Sequence, residues 1–110
     1  VSNDENPHPN GAAGQADWDA LRARVDVLDE QIVELLAART AVVRRIGALK
    51  GAQRRSEEEV RSPQRVERVV ARVRSLADSH GMDPNIAERT YRALIAALTD
   101  MQLQALGHQP

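Results

Sequence analysis

Leu21, Val25, Leu28, Ile32, Leu35, Val42, Ile46 and Leu49 recur three and four positions apart, and Arg39 occupies the one step of that series where another apolar residue belongs. No proline or glycine breaks the run from Trp18 to Gly47. Such a seam specifies one long helix with a single buried stripe. With Asp17 as N-cap and Lys50-Gly51 as the stop, the helix would hold about 33 residues and reach roughly 50 Å. A compact domain of this size has a radius of gyration of only about 13 Å. The helix therefore overhangs its own domain, and a second copy is expected to cover it, with the long helices packed parallel or antiparallel. Arg39 on that stripe costs several kcal/mol (~) unless it is paired. Its partner is either an acid, Glu34 or one from another chain, or an anionic ligand.

The remaining chain reads as two shorter helices. Residues 1–16 are polar, contain Pro, Gly, Asn and Ala, and show no periodicity; a disordered tail is expected there, ahead of one domain over 17–107. Residues 51–62 are charged and irregular, with the run Glu57-Glu58-Glu59, and read as a solvated connecting loop. Ser62-Pro63 is an N-cap followed by proline at the first helical position. Val66, Val69, Val70, Val73, Leu76 and Ala77 would form the inner face of the second helix, and Gly81 ends it with a left-handed cap. Asp83-Pro84 repeats the start signal. Ala87, Tyr91, Leu94, Leu98, Met101 and Ala105 form the stripe of the third helix, which frays after Leu106-Gly107. The fold class expected is all-α: three helices, one long and two shorter, in an intertwined homodimer.

Composition narrows the function classes. The chain has 110 residues, no cysteine and a net charge of −1 with both signs interspersed. Disulfides and thiolate metal sites are excluded. His8, His80 and His108 are scattered without metal-ligand spacing; His80, just before Gly81, complements the end of a helix. The charge balance does not call for nucleic acid or an anionic membrane. No stretch reaches the length of a membrane span, and the start lacks a basic, apolar secretory pattern, so a cytoplasmic location is expected. Arginine outnumbers lysine fourteen to one, which makes Lys50, the single lysine, a residue to follow.

Several polar residues stand out by position. Residues 11 apart on a helix differ by about 20° in azimuth, so Arg39 and Lys50 point the same way, roughly 16 Å apart. Arg22 lies about 100° around the helix from Arg39 and some 25 Å away (~). One small ligand cannot touch both in one subunit, but can touch Arg22 of one and Arg39 of the other if the long helices are antiparallel. Arg65 falls in the first turn of the second helix, and Gln102 at the edge of the third helix's stripe. Each has an ordinary explanation. Arg22 can pair with Asp26 at i+4. Lys50 suits a helix C-terminus. Arg65 and Gln102 can be plain surface residues. Only the joint arrangement is informative.

That arrangement resembles the all-helical, AroQ-type chorismate mutases. The resemblance covers about residues 18–106 and rests on Leu21-Arg22, Asp26, Leu28-Asp29, Ile32, Leu35-Leu36, Arg39, Ile46 and Lys50, then Arg65 and Gln102. It implies an intertwined homodimer with two equivalent sites, in which Arg39, Lys50, Arg65 and Gln102 come from one subunit and Arg22 from the partner subunit. It implies conversion of chorismate to prephenate by a [3,3] rearrangement, in the shikimate route to aromatic amino acids, with no cofactor and no metal. Chorismate carries two carboxylates, which guanidinium forks bind bidentately. By resemblance, Arg22 and Arg39 clamp them, and Lys50 and Gln102 donate to the ether oxygen as its bond breaks.

The match departs at selectivity positions. The acid that follows the family's counterpart of Arg65 is here Val66; the aspartate three before it is Ser62; the serine of the last helix is Leu98; and the loop is a few residues longer. The string Ser62-Pro63-Gln64-Arg65-Val66 looks more like divergent branches of the fold, the 4-amino-4-deoxychorismate mutases and isochorismate-pyruvate lyases. An apolar Val66 removes a polar contact near the ring substituent, which bears on substrate choice more than on reaction class. Outside enzymes, the alternative is a helical dimeric interaction module or a small helix-turn-helix DNA binder, whose affinity would fall steeply with salt.

Overall fold

The computed structural model describes residues 11–107. Four helices follow one another: α1 (Gly11–Ala52), α2 (Glu57–Arg61), α3 (Pro63–Ser79) and α4 (Pro84–Ala105). There is no strand among the described residues. The three expected helices are present, and α2 is a single added turn.

α1 begins earlier than expected. Residues 11–16, assigned by composition to the tail, already belong to it, and Asp17 lies inside the helix instead of capping it. Ala12, Ala13, Gln15 and Ala16 are good helix formers, and Gln15 Nε2 donates to Asp19 Oδ1 at 2.9 Å, one turn on. Residues 1–10, the rest of the expected tail, lie outside the described residues. At its other end α1 runs through Gly47 and Gly51 to Ala52.

The chain divides into two units, residues 1–39 and 40–110. The first contains α1 up to Arg39. Its seam is bare: Trp18, Leu21, Val25, Leu28, Ile32 and Leu35 are each more than half exposed.

The second unit holds the core. α3 and α4 run antiparallel, because Glu67 and Arg74 of α3 meet Arg92 and Glu88 of α4 in reverse order. Val73, Ala77 and Ala87 are buried between them, with Val69 and Tyr91 packed alongside. Val70 is buried as expected, whereas Leu76 is exposed. On α4 the stripe is only half-buried at Leu94, Leu98 and Met101, and Ala105 is exposed; the deepest residue is Leu103 at 0% exposure. α2 packs on α4, and its Val60 is buried as well.

The connection expected as a solvated loop is thus partly structured. Ser56 and Glu59 form a reciprocal capping box: Glu59 N–H donates to Ser56 Oγ at 3.1 Å, and Ser56 N–H to Glu59 Oε1 at 2.9 Å. Three acids in that first turn also suit the positive end of the helix. Ser62 ends α2 and starts α3 in one residue, with φ 45° and ψ 65°. Its hydroxyl does not cap α3 but turns back to donate to the Glu59 carbonyl. The α3–α4 turn follows the sequence closely. Gly81 (φ +74°) closes a Schellman motif, with Met82 N–H on Ala77 O at 2.8 Å and Gly81 N–H on Asp78 O at 3.1 Å. Asp83 Oδ1 then accepts from Asn85 N–H, with Pro84 in the first turn.

Candidate functional site

In the second unit the last turns of α1 approach α4 through two glycines. A Cβ on Gly47 would lie 3.1 Å from Gln102 Cγ, and one on Gly51 would lie 2.5 Å from Leu106 Cδ2. Two glycines four apart let one helix sit close to the other. Gln102, expected at a stripe's edge, is buried in that contact at 7% exposure. Its Nε2 donates to Val43 O at 3.0 Å. A primary amide has two N–H donors and a carbonyl acceptor. One donor is used to orient the group, and among the described residues nothing else engages it. The result is a neutral, buried donor of fixed plane, with a second N–H to give.

Lys50 projects from the turn after Gly47. It is half-buried, and its Nζ donates to Val60 O at 3.2 Å. An ammonium has three donors, so one bond ties Lys50 to α2 and leaves two. Burial, and then the nearby Arg55 guanidinium, hold its pKa below the ordinary lysine value of 10.5. The same α2 that covers α4 therefore also anchors this lysine.

Arg65 and Val66 are neighbours in sequence and part company in space. Arg65 is exposed in the first turn of α3 and lines a groove with Ser62, Glu58, Glu59 and Arg68. Val66 is half-buried and faces α4, lining a groove of about 330 Å³ with Pro63, Ile95 and Thr99, with Arg61 and Asp100 also in its wall. Leu98 is half-buried on α4, one turn before Gln102.

The first unit carries the other two arginines. Arg39 is half-buried on α1. Arg22 is exposed, and its guanidinium lies over the Trp18 indole, 5.0 Å from the ring centroid. Asp26, at i+4, offers the ordinary alternative, and no described ion pair joins it to Arg22.

Four further groups touch the candidate residues without having stood out in the sequence: the Trp18 ring, the Val43 and Val60 carbonyls, and Gly47. The i, i+4 spacing of Trp18 and Arg22 and the Gly47-x-x-x-Gly51 pattern were the available signals. The two carbonyls had none, since any residue type supplies a backbone oxygen.

Among the described residues no helix is long and apolar enough to cross a membrane. No solved structure matches the chain. A 4-amino-4-deoxychorismate mutase from Streptomyces pristinaespiralis is 32% identical over 90 residues, an overlap of 81% of this chain and 67% of the relative. Residues 21–103, which include every candidate from Arg22 to Gln102, match the family described as chorismate mutase type II. The chain belongs to that family.

Proposed function

We propose that the protein catalyses the cofactor-free [3,3] rearrangement of chorismate to prephenate, acting as a homodimer. The observation that carries this reading is the pair of donors on the α1–α4 contact. Gln102 and Lys50 are each fixed by one hydrogen bond to a backbone carbonyl, and each retains donors. In the rearrangement one carbon–oxygen bond breaks as one carbon–carbon bond forms within the same molecule. No proton or electron is exchanged, so neither base nor nucleophile is needed. Negative charge grows on the ether oxygen, and preorganised donors aimed at it lower the barrier. In this reading Lys50 and Gln102 meet that oxygen, Arg39 and Arg65 of the same subunit hold the dianion, and Arg22 of the partner subunit closes over it.

The bare seam of α1 supports the dimer. The six seam side chains Trp18, Leu21, Val25, Leu28, Ile32 and Leu35 stay exposed in a single chain, and a second long helix would cover them. Light scattering of the purified protein tests this; a monomer at micromolar concentration would remove the donor of the second arginine.

A second reading has its own support. The Streptomyces relative is named for the 4-amino-4-deoxy substrate, and by the family resemblance Val66 takes the sequence position of an acid that contacts the ring substituent. Incubation with chorismate, isochorismate and 4-amino-4-deoxychorismate in metal-free buffer, with products identified by chromatography, decides between them. Prephenate from chorismate supports the first reading. Preferential turnover of the amino compound replaces it with the second. Pyruvate released from isochorismate alone refutes both. Val66→Glu is expected to shift preference toward chorismate; unchanged relative rates would remove Val66 from substrate choice.

A further inference from the structure

Trp18 is the chain's one tryptophan and lies one helical turn before Arg22 on α1. Residues four apart share a helix face, and here the guanidinium sits over the indole at 5.0 Å from its centroid. No described ion pair engages Arg22, so the ring is its recorded partner. Within one chain the indole is 51% exposed, and no core of its own subunit claims it. A planar guanidinium has two recognition surfaces. Its face stacks on aromatic rings, and its edge carries the N–H donors that fork a carboxylate. A guanidinium held over the indole through its cationic carbon still has N–H donors for a carboxylate.

We infer that Trp18 is a positioning residue for substrate binding: its indole holds the Arg22 guanidinium flat so that the N–H edge is presented to a carboxylate of the guest. This rests on the reading of Arg22 as a carboxylate clamp. An arginine side chain otherwise samples many rotamers, and ordering them on binding lowers affinity. The ring restrains them beforehand. Because the carboxylate is held alike in the ground and transition states, the contribution is uniform binding, which appears in KM and leaves kcat alone. Having one tryptophan also makes the stack directly observable by fluorescence.

The test compares wild type, Trp18→Leu, Trp18→Phe and Arg22→Ala on whichever of chorismate or 4-amino-4-deoxychorismate is turned over. Leucine keeps apolar bulk on the seam and removes the π face; phenylalanine restores a smaller face. Trp18→Leu is expected to raise KM about three- to tenfold with kcat unchanged, and Trp18→Phe to recover most of the loss. In the wild type, indole emission is expected to change saturably as the rearrangement product of that substrate is titrated. Wild-type KM in Trp18→Leu, with activity lost in Arg22→Ala, would overturn the positioning role alone. Wild-type KM in Arg22→Ala would overturn the clamp beneath it. A KM rise in Trp18→Leu that disappears at higher protein concentration would make the ring an assembly residue and would also overturn the proposal.

Discussion

Gln102 Nε2 donates to the Val43 carbonyl at 3.0 Å, and the missing Cβ of Gly47 leaves the space in which that side chain lies. The carbonyl orients the amide and the glycine admits it, so both are part of the donor. Gln102→Ala is expected to lower kcat by about 10²–10³, the range found when one preorganised donor is removed. Gln102→Glu makes a sharper test. A carboxyl group can donate only while protonated, and burial raises its pKa. Activity of Gln102→Glu should climb as pH falls, while the wild type shows no such climb. A pH–rate profile of the variant that tracks the wild type would remove Gln102 from the reaction.

Gly47→Ala and Gly51→Ala should differ in kind. Alanine is favoured over glycine inside a helix by about 1 kcal/mol. At Gly51 the new methyl meets Leu106 Cδ2, the free end of a side chain that can rotate away. Thermal stability should be kept or slightly raised, with activity retained. At Gly47 the methyl meets Gln102 at Cγ and Nε2, 3.1 and 3.2 Å away. The amide must move, and kcat should fall without a matching loss of melting temperature. Measuring both quantities on both variants checks the distinction; equal effects on activity would contradict it.

The α3–α4 pair is tied by a small charge network. Arg92 reaches both Glu67 oxygens at 3.0 Å and Glu88 at 2.7 Å, while Arg74 takes the other Glu88 oxygen at 2.9 Å. The hydrogen bonds from Arg92 hold the Glu67 and Glu88 pKa values below the ordinary 4.5. A depressed carboxylate contributes stability that is complete above its unfolded-state pKa and is lost as pH falls through the folded-state value. Melting temperature should therefore drop on acidification below about 4.5, and drop less in Arg92→Ala. The network is exposed, so salt should shrink the difference. Identical acid limbs in thermal melts of the two proteins would show that the network contributes nothing.

What the sequence disclosed follows the range of the interactions involved. Ser62-Pro63 and Asp83-Pro84 announce helix starts, and Gly81 a helix end, because caps act within one turn. The Ser56–Glu59 box was equally local, but it was hidden by a charged run that reads as loop. Gln102 and Leu103 were harder. Periodicity within α4 draws a stripe through Leu98 and Met101, yet burial is decided by what packs against the helix. α2 lies against α4, and Gly47 admits Gln102. Likewise Leu76 carries the right spacing and is exposed, since no described neighbour covers that side of α3. Of the candidate residues, those on helices with clear registers could be placed, while the carbonyl anchors of Lys50 and Gln102 depend on tertiary contacts.

Lys50 is held to Val60 O by one donor, and burial depresses its pKa below 10.5. The proposed role needs the ammonium, both as a donor and as a charge facing the ether oxygen. The alkaline limb of kcat/KM should therefore have its midpoint below 10.5, since that profile reports the free enzyme. Stability moves the opposite way. Between the folded-state pKa and 10.5 the unfolded chain binds the extra proton, so raising pH through that window favours the folded state as activity declines. An inactivation that follows unfolding would show both falling together. Lys50→Arg separates the cases further: a guanidinium stays charged across this range, so whatever activity survives should lose the alkaline limb. Retention of the limb in Lys50→Arg would assign it to another group and withdraw Lys50 as the charged donor.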